Sequence, residues 1–168
     1  MTLPAEQHTR PSALPVGAPL AGTLTALTEV PDPVFAGQLV GAGVAIEPPA
    51  EPGPVQVVAP IDGTLAKLHP HAFILVAADG TGVLVHLGID TVTLEGDGFT
   101  LHVAEGERVS AGAPIVSFDP AQVRARGLSA ICPIVVLDSA PDSVPAPASG
   151  APVQPGDLLF RWPDGDPG

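Results

Sequence analysis

Proline and glycine punctuate this chain so densely that long helices are excluded before any other pattern is read. Among 168 residues stand 22 prolines and 19 glycines, and through the first 60 positions no apolar run reaches helical length without a proline. Proline lacks a backbone donor and clashes with the preceding helical turn. Between the breaks lie short runs of Val, Ile and Leu, the composition of strands. Neither breaker is periodic, which excludes collagen. The chain reads as all-β with short helical turns at most. One such turn is signalled at Asp119-Pro-Ala-Gln-Val-Arg-Ala-Arg126, where Asp119 caps, Pro120 suits the first helical position and Gly127 stops the helix.

Two kinds of segment occur twice. Ala18-Pro-Leu-Ala-Gly-Thr-Leu-Thr-Ala-Leu27 matches Ala59-Pro-Ile-Asp-Gly-Thr-Leu-Ala-Lys-Leu68, 41 residues later. Val109-Ser-Ala-Gly-Ala-Pro-Ile-Val-Ser-Phe118 echoes Val153-Gln-Pro-Gly-Asp-Leu-Leu-Phe-Arg-Trp162, 44 residues later. Too few for a solenoid, these copies predict an antiparallel β-sandwich of two interlocked, pseudo-symmetric halves. Residues 1–17 are polar and proline-containing and are expected to be a disordered tail. Residues 18–162 form one domain, and 163–168 a loose C-terminal tail.

Six basic against 18 acidic residues give a formal net charge of −12. That disfavours nucleic acid and anionic membrane surfaces, which need basic side chains, and favours a positively charged protein partner. No stretch has the apolar length of a membrane span, so direct membrane insertion is not expected. The N-terminus lacks the basic and apolar pattern of a secretory signal. The single cysteine, Cys132, reads as a small buried hydrophobe of a reducing compartment, so the expected location is the cytoplasm.

His86 stands in the apolar run Gly82-Val-Leu-Val-His-Leu-Gly-Ile-Asp-Thr-Val92, and His71 opens His-Ala-Phe-Ile-Leu-Val fifteen residues upstream. Asp79-Gly80 between them is a hairpin signal. If these two residues are the whole loop, His86 falls opposite Phe73 and His71 opposite Gly88. The histidines are then diagonal neighbours on one face, with Ala72, Ile74, Val76, Val83, Val85 and Leu87 on the core face. A three-residue loop would put the two histidines on opposite faces. A neutral imidazole is a nucleophile at neutral pH, and a second imidazole beside it can donate to the oxygens of an incoming group. Phosphoryl transfer needs little more than such positioning. Asp90 reads either as an orienting group for an imidazole or as a turn former. His102 is expected to face solvent, and Arg108, Arg124 and Arg126 to be surface charges.

Val58-Ala-Pro-Ile-Asp-Gly-Thr64, His71-Ala-Phe73, Val85-His-Leu-Gly-Ile-Asp-Thr-Val92, Gly96-Asp-Gly-Phe99 and Gly106-Glu-Arg-Val109 resemble the glucose-type IIA component of the bacterial phosphoenolpyruvate-dependent sugar phosphotransferase system. Val30-Pro-Asp-Pro-Val-Phe-Ala-Gly37 and Val40-Gly-Ala-Gly-Val-Ala-Ile46 match as well. The resemblance implies a compact β-sandwich, a duplicated hybrid motif, in which the histidine matching His86 carries a tele-phosphohistidine. It implies HPr as phosphoryl donor and the IIB domain of a sugar permease as acceptor, with no required cofactor. His71 would support the phosphate. Phe35, Leu39, Val40, Ala72, Leu84, Asp90 and Val92 would dock partners. Where enteric members carry a polar Thr-Asn before the supporting histidine, this chain has His69-Pro70 and a shorter segment.

Two other readings compete. His69-Pro-His71 and His86-Leu-Gly-Ile-Asp90 resemble metal strings of lysostaphin-type zinc hydrolases, but in inverted order. A partner-completed zinc on His71 and His86 is the milder form of that reading. Ala-Pro-Ile-Asp-Gly-Thr also resembles strands of biotinyl or lipoyl carrier modules, which need a lysine at a hairpin tip, whereas Lys67 lies within a strand pattern.

Overall fold

The structure, a computed structural model, describes residues 13–163 apart from 146 and 148. It holds thirteen strands: β1 (Leu14–Gly17), β2 (Gly22–Ala26), β3 (Gly41–Glu47), β4 (Val55–Val58), β5 (Gly63–His69), β6 (Ala72–Val76), β7 (Gly82–His86), β8 (Phe99–Leu101), β9 (Arg108–Val109), β10 (Pro114–Phe118), β11 (Cys132–Leu137), β12 (Pro152–Val153) and β13 (Leu158–Trp162). Two short helices join them, α1 (Pro33–Ala36) and α2 (Pro120–Ala125). In α2 the Asp119 carboxylate accepts from Ala121 N at 2.9 Å, and Pro120 opens the helix, as its sequence predicts. The same Asp-Pro device starts α1, where Asp32 accepts from Val34 N at 2.8 Å. The expected tail over 1–17 does not hold for Leu14–Gly17, which pair with β13 as a strand. The rest of the N-terminal expectation, 1–12, and residues 164–168 of the C-terminal one lie outside the described residues.

All pairs are antiparallel, and the main sheet runs β12-β2-β3-β11-β7-β6-β5-β9. This order is symmetric about the β11–β7 pair, and the hydrogen bonds repeat accordingly. Gly22 and Thr23 face Val153 and Pro152, just as Gly63 and Thr64 face Val109 and Arg108. Gly17 N donates to Pro60 O at 2.9 Å, and Val58 N donates to Pro19 O at 2.7 Å. Gly156 N to Ala18 O and Gly112 N to Ala59 O are both 2.9 Å. Each partner is shifted by the same 41 or 44 residues as the sequence repeats. The copies are thus structural equivalents, and the bonds between Gly17, Pro19, Val58 and Pro60 lock one half into the other. One half is contiguous, from β4 to β10. The other is split around it, with β1 to β3 before and β11 to β13 after.

The main core lies between the large sheet and the two small sheets, β1-β13 and β4-β10-β8, and contains Val16, Val44, Phe73, Leu75, Val83, Val85, Ile134 and Phe118. A second apolar cluster covers the opposite face of the large sheet. There the segment from Leu27 to Val40 lays Leu27, Val30 and Phe35 over Ala45 and Val135, with Ile89, Ile131 and Leu84 alongside. Alternation forces this split, since Val44 and Ala45 must point to opposite faces. Strands covered on both faces are apolar throughout. Among the described residues no helix is long and apolar enough to cross a membrane.

The β6–β7 register differs from expectation by one residue. Ala72 faces His86, Phe73 faces Val85 and Ile74 faces Leu84. Ala77 N donates to Thr81 O, so the loop is Ala78-Asp79-Gly80, three residues long. Gly80 alone is left-handed, at φ +93°, and Asp79 folds its carboxylate onto Thr81 N at 2.9 Å. A two-residue type I′ loop would need positive φ at both positions, and Asp79 does not adopt it. The slip exchanges faces: Phe73 and Leu75 are core, while Ala72, Ile74, Val76 and Leu84 share the face of His86.

Candidate functional site

The one-residue slip should have separated the histidines, yet their ring centroids lie 5.3 Å apart at 73°, edge to face. The reason is local. His71 is not in a strand but is the second residue of the Pro70-His71 turn between β5 and β6, closed by the His69–Ala72 pair. Strand alternation does not govern its side chain. Leu87 N donates to His71 O at 2.7 Å, fixing the turn beside the end of β7. Pro70 packs against the Gly96 backbone on the other side.

His86 ends β7 and is half-buried. Its Nδ1 lies 2.5 Å from the carbonyl oxygen of Gly88. A carbonyl can only accept, so Nδ1 carries the proton and Nε2 keeps the lone pair. This carbonyl is presented by a left-handed Gly88, φ +79°, where a β-carbon would meet Thr91 Cγ2 at 2.6 Å and Ser129 O at 2.9 Å. Thr91 is tied down by its own hydroxyl, which donates to Leu87 O at 2.7 Å. Phe35, held by the Asp32-capped turn of α1, sets its ring 5.2 Å from that of His86.

Burial holds the His86 pKa below its ordinary value, opposed by the Gly88 carbonyl and the negative charges of Asp32 and Asp90. His71 is also lowered, by burial first and then by positive charge on His86 and His69. Both rings are therefore neutral at neutral pH. The site thus offers one oriented imidazole nucleophile with a neutral imidazole at its edge, beneath an apolar shelf.

The residues named from sequence fall into two groups. Phe35 and Ala72 are 8% and 7% exposed and form the floor beside His86. Leu84 lies on the same strand face, and Val40 packs into the second cluster. Leu39 and Val92 are 73% and 58% exposed, so they alone of this set can offer large apolar area to a partner. Asp90 is exposed and left-handed, φ +61°, and its carbonyl accepts from Thr93. It is thus a turn residue that also acts on His86 through its charge. His102 faces solvent and bonds Ser117 Oγ at 2.7 Å. Arg124 is committed to Glu47 and the Pro48 and Pro49 carbonyls, and Arg126 to Asp97. Cys132 is fully buried, with its thiol pushed up to about 12.

Sequence reasoning missed Asp32 and the role of Gly88. The Asp-Pro pair at residues 32 and 33 carried the same capping signal as Asp119-Pro120. Gly88 enters the sequence reading only as the residue opposite His71.

The chain matches the family model for the phosphoenolpyruvate-dependent sugar phosphotransferase system, EIIA 1, over residues 14–141. It belongs to this EIIA family. A glucose-specific EIIA component from Bacillus cereus is 44% identical over 124 residues, 73% of each chain. A glucose-specific EIIBCA component from Corynebacterium glutamicum is 43% identical over 126 residues, 74% of this chain but 18% of that longer protein. The solved glucose permease IIA of Mycoplasma capricolum superposes with a TM-score of 0.78 at 33% identity, covering 88% of this chain and 94% of that one. The EIIA fold is the sandwich described above, and the role is that of a phosphocarrier in sugar phosphotransfer. Neither competing reading gains support. Lys67 of this EIIA chain lies within β5 rather than at a hairpin tip. Among the described residues no three His, Cys, Asp or Glu side chains converge as a metal site.

Proposed function

We propose that His86 is the phosphoryl acceptor of this EIIA chain and that its Nε2 is the reacting atom. The observation that carries this is the Nδ1–Gly88 carbonyl contact at 2.5 Å, which leaves Nε2 as the free nucleophile. HPr, whose phosphohistidine is the donor, and the IIB domain of a sugar permease, the acceptor, are the partners. In the step, the Nε2 lone pair forms a bond to phosphorus. The donor's P–N bond breaks and its electron pair returns to the donor nitrogen. Nδ1 keeps its proton, and the ring's positive charge is supported by the Gly88 carbonyl, Asp32 and Asp90, the groups that raise the His86 pKa. His71 donates an N–H to a phosphoryl oxygen, a contact that strengthens as charge develops. The product is a tele-phosphohistidine.

Exposed Leu39 and Val92 make first contact with the partners, and Phe35, Ala72 and Leu84 floor the docking surface. The net charge of −12 favours encounter with basic partners. The protein works in the cytoplasm, where donor and permease domain meet, without a resident cofactor. Two imidazoles supply only two metal ligands, so a zinc ion there would need a partner to complete it. Relatives carrying this domain are named for glucose, β-glucoside and mannose. Sugar choice therefore resides in the permease.

Incubation with phosphoenolpyruvate, Enzyme I and HPr tests the reading. One phosphoryl group should be incorporated, His86→Ala should incorporate none, and His71→Ala should label but not pass the group on. Labelling that survives His86→Ala overturns the assignment.

A further inference from the structure

We propose that His69 is a positioning residue that holds the His71 ring in its phosphate-facing orientation. The inference rests on the site reading above. Among the described residues no hydrogen bond reaches the His71 ring, whereas His86 has its Gly88 carbonyl. What touches the His71 ring is aromatic on two sides. The His86 ring meets it edge to face, and the His69 ring stacks on it with centroids 5.7 Å apart and planes 23° apart. An imidazole without a hydrogen-bonded anchor keeps its orientation only through such contacts.

Backbone geometry makes the stack a product of this turn. His69 is the last residue of β5 and pairs with Ala72, leaving only Pro70 and His71 to reverse the chain. Pro70 fixes its own φ at the position that a tight turn favours for proline. Its ring lies over Gly96, where a β-carbon would sit 3.4 Å from Pro70 Cγ, so a side chain there would bear on the turn. The residues flanking Pro70 are thereby brought ring to ring. His69 itself is exposed, and among the described residues its one aromatic contact is with His71, so its contribution runs through His71.

An aromatic contact of this kind corresponds to about a two- to tenfold effect on a rate that depends on it. The test compares His69→Ala with His69→Phe, which keeps a stacking ring. In the unphosphorylated protein, NOEs between the His71 and His86 ring protons should weaken or vanish in His69→Ala and persist in His69→Phe. The EIIB domain of the Corynebacterium glutamicum glucose-specific EIIBCA component serves as acceptor probe for phospho-His86. Its rate of phosphorylation should fall about two- to tenfold in His69→Ala and be restored in His69→Phe. Unchanged NOEs in His69→Ala, or a His69→Phe as impaired as the alanine variant, would each overturn the proposal. Failure of the underlying site reading shows separately, as labelling that survives His86→Ala.

Discussion

Replacing Gly88 by alanine tests the link between backbone geometry and chemistry, and Gly80→Ala supplies its control. Both glycines are left-handed, φ +79° and +93°. An alanine in that region costs about 1–2 kcal/mol. Around Gly80 nothing lies within 4 Å of an added β-carbon, so that penalty is the whole cost. At Gly88 the new atom would sit 2.6 Å from Thr91 Cγ2 and 2.9 Å from Ser129 O. Thr91 cannot swing away without releasing its bond to Leu87 O, and Ser129 O accepts from Ile89 N at 2.9 Å. Crowding of this kind costs about 1–3 kcal/mol more. Urea unfolding followed through the single tryptophan, Trp162, should therefore show Gly88→Ala less stable than Gly80→Ala by that difference.

The second readout is chemical. Relief of the crowding must move the segment that carries the Gly88 carbonyl, loosening the bond that fixes the proton on Nδ1. A hydrogen bond to a charged ring is worth about 1.5–3 kcal/mol, or roughly ten- to a hundredfold in rate. Under conditions where both variants are folded, Gly88→Ala should accept phosphate from HPr more slowly by roughly that factor, while Gly80→Ala matches the parent. Equal destabilisation of the two variants together with an unaltered labelling rate for Gly88→Ala would refute the reasoning.

Burial depresses the His86 and His71 pKa values, so the unfolded chain binds protons that the folded chain resists. The sign follows by linkage: stability is unaffected above the unfolded value of about 6.5 and is lost as pH falls through the folded values. Urea midpoints should fall between pH 7.5 and 5.5, with a shallower slope in the His71→Gln/His86→Gln double variant; an unchanged slope counts against buried neutral imidazoles. Cys132, with its thiol at about 12, should resist thiol reagents in the native protein at pH 8 and react on unfolding. Native-state labelling at the rate of a free thiol would contradict its burial.

Legibility from sequence followed the physics of each element. The duplication was readable because interlocking needs the same turn residues twice, Ala-Pro before each strand and a Pro-Gly or Ala-Gly turn before its partner. The helix at Pro120 was readable from its cap alone. The hairpin register was not, because β6 and β7 lie mid-sheet with apolar cover on both faces, so Phe73-Ile-Leu75 contains no polar residue to mark a side. Loop length then had to decide, and Asp-Gly fits both a two-residue loop and the closing part of a three-residue one. The histidine pair survived the wrong register because Pro70 removes His71 from the strand. The Asp32 cap is signalled by its Asp-Pro pair, whereas the Gly88 carbonyl and the His69 stack, each two residues from its partner, depend on local turn conformations that spacing does not encode.

The pairing of β1 with β13 brings Leu14 opposite Trp162, so the two ends of the folded unit emerge side by side. Trp162 lines a groove with Gly80, Thr81 and Gly82, at the loop end of β7. His86 closes the other end of that strand, about 13 Å away at the usual rise per residue. Polypeptide attached at either end would therefore start from the end of β7 opposite His86. Ends placed in this way leave the His86 face clear both in a separate chain and in one bead on a longer string. The EIIBCA relatives, in which the matched region is 18% to 24% of the whole, are strings of that second kind.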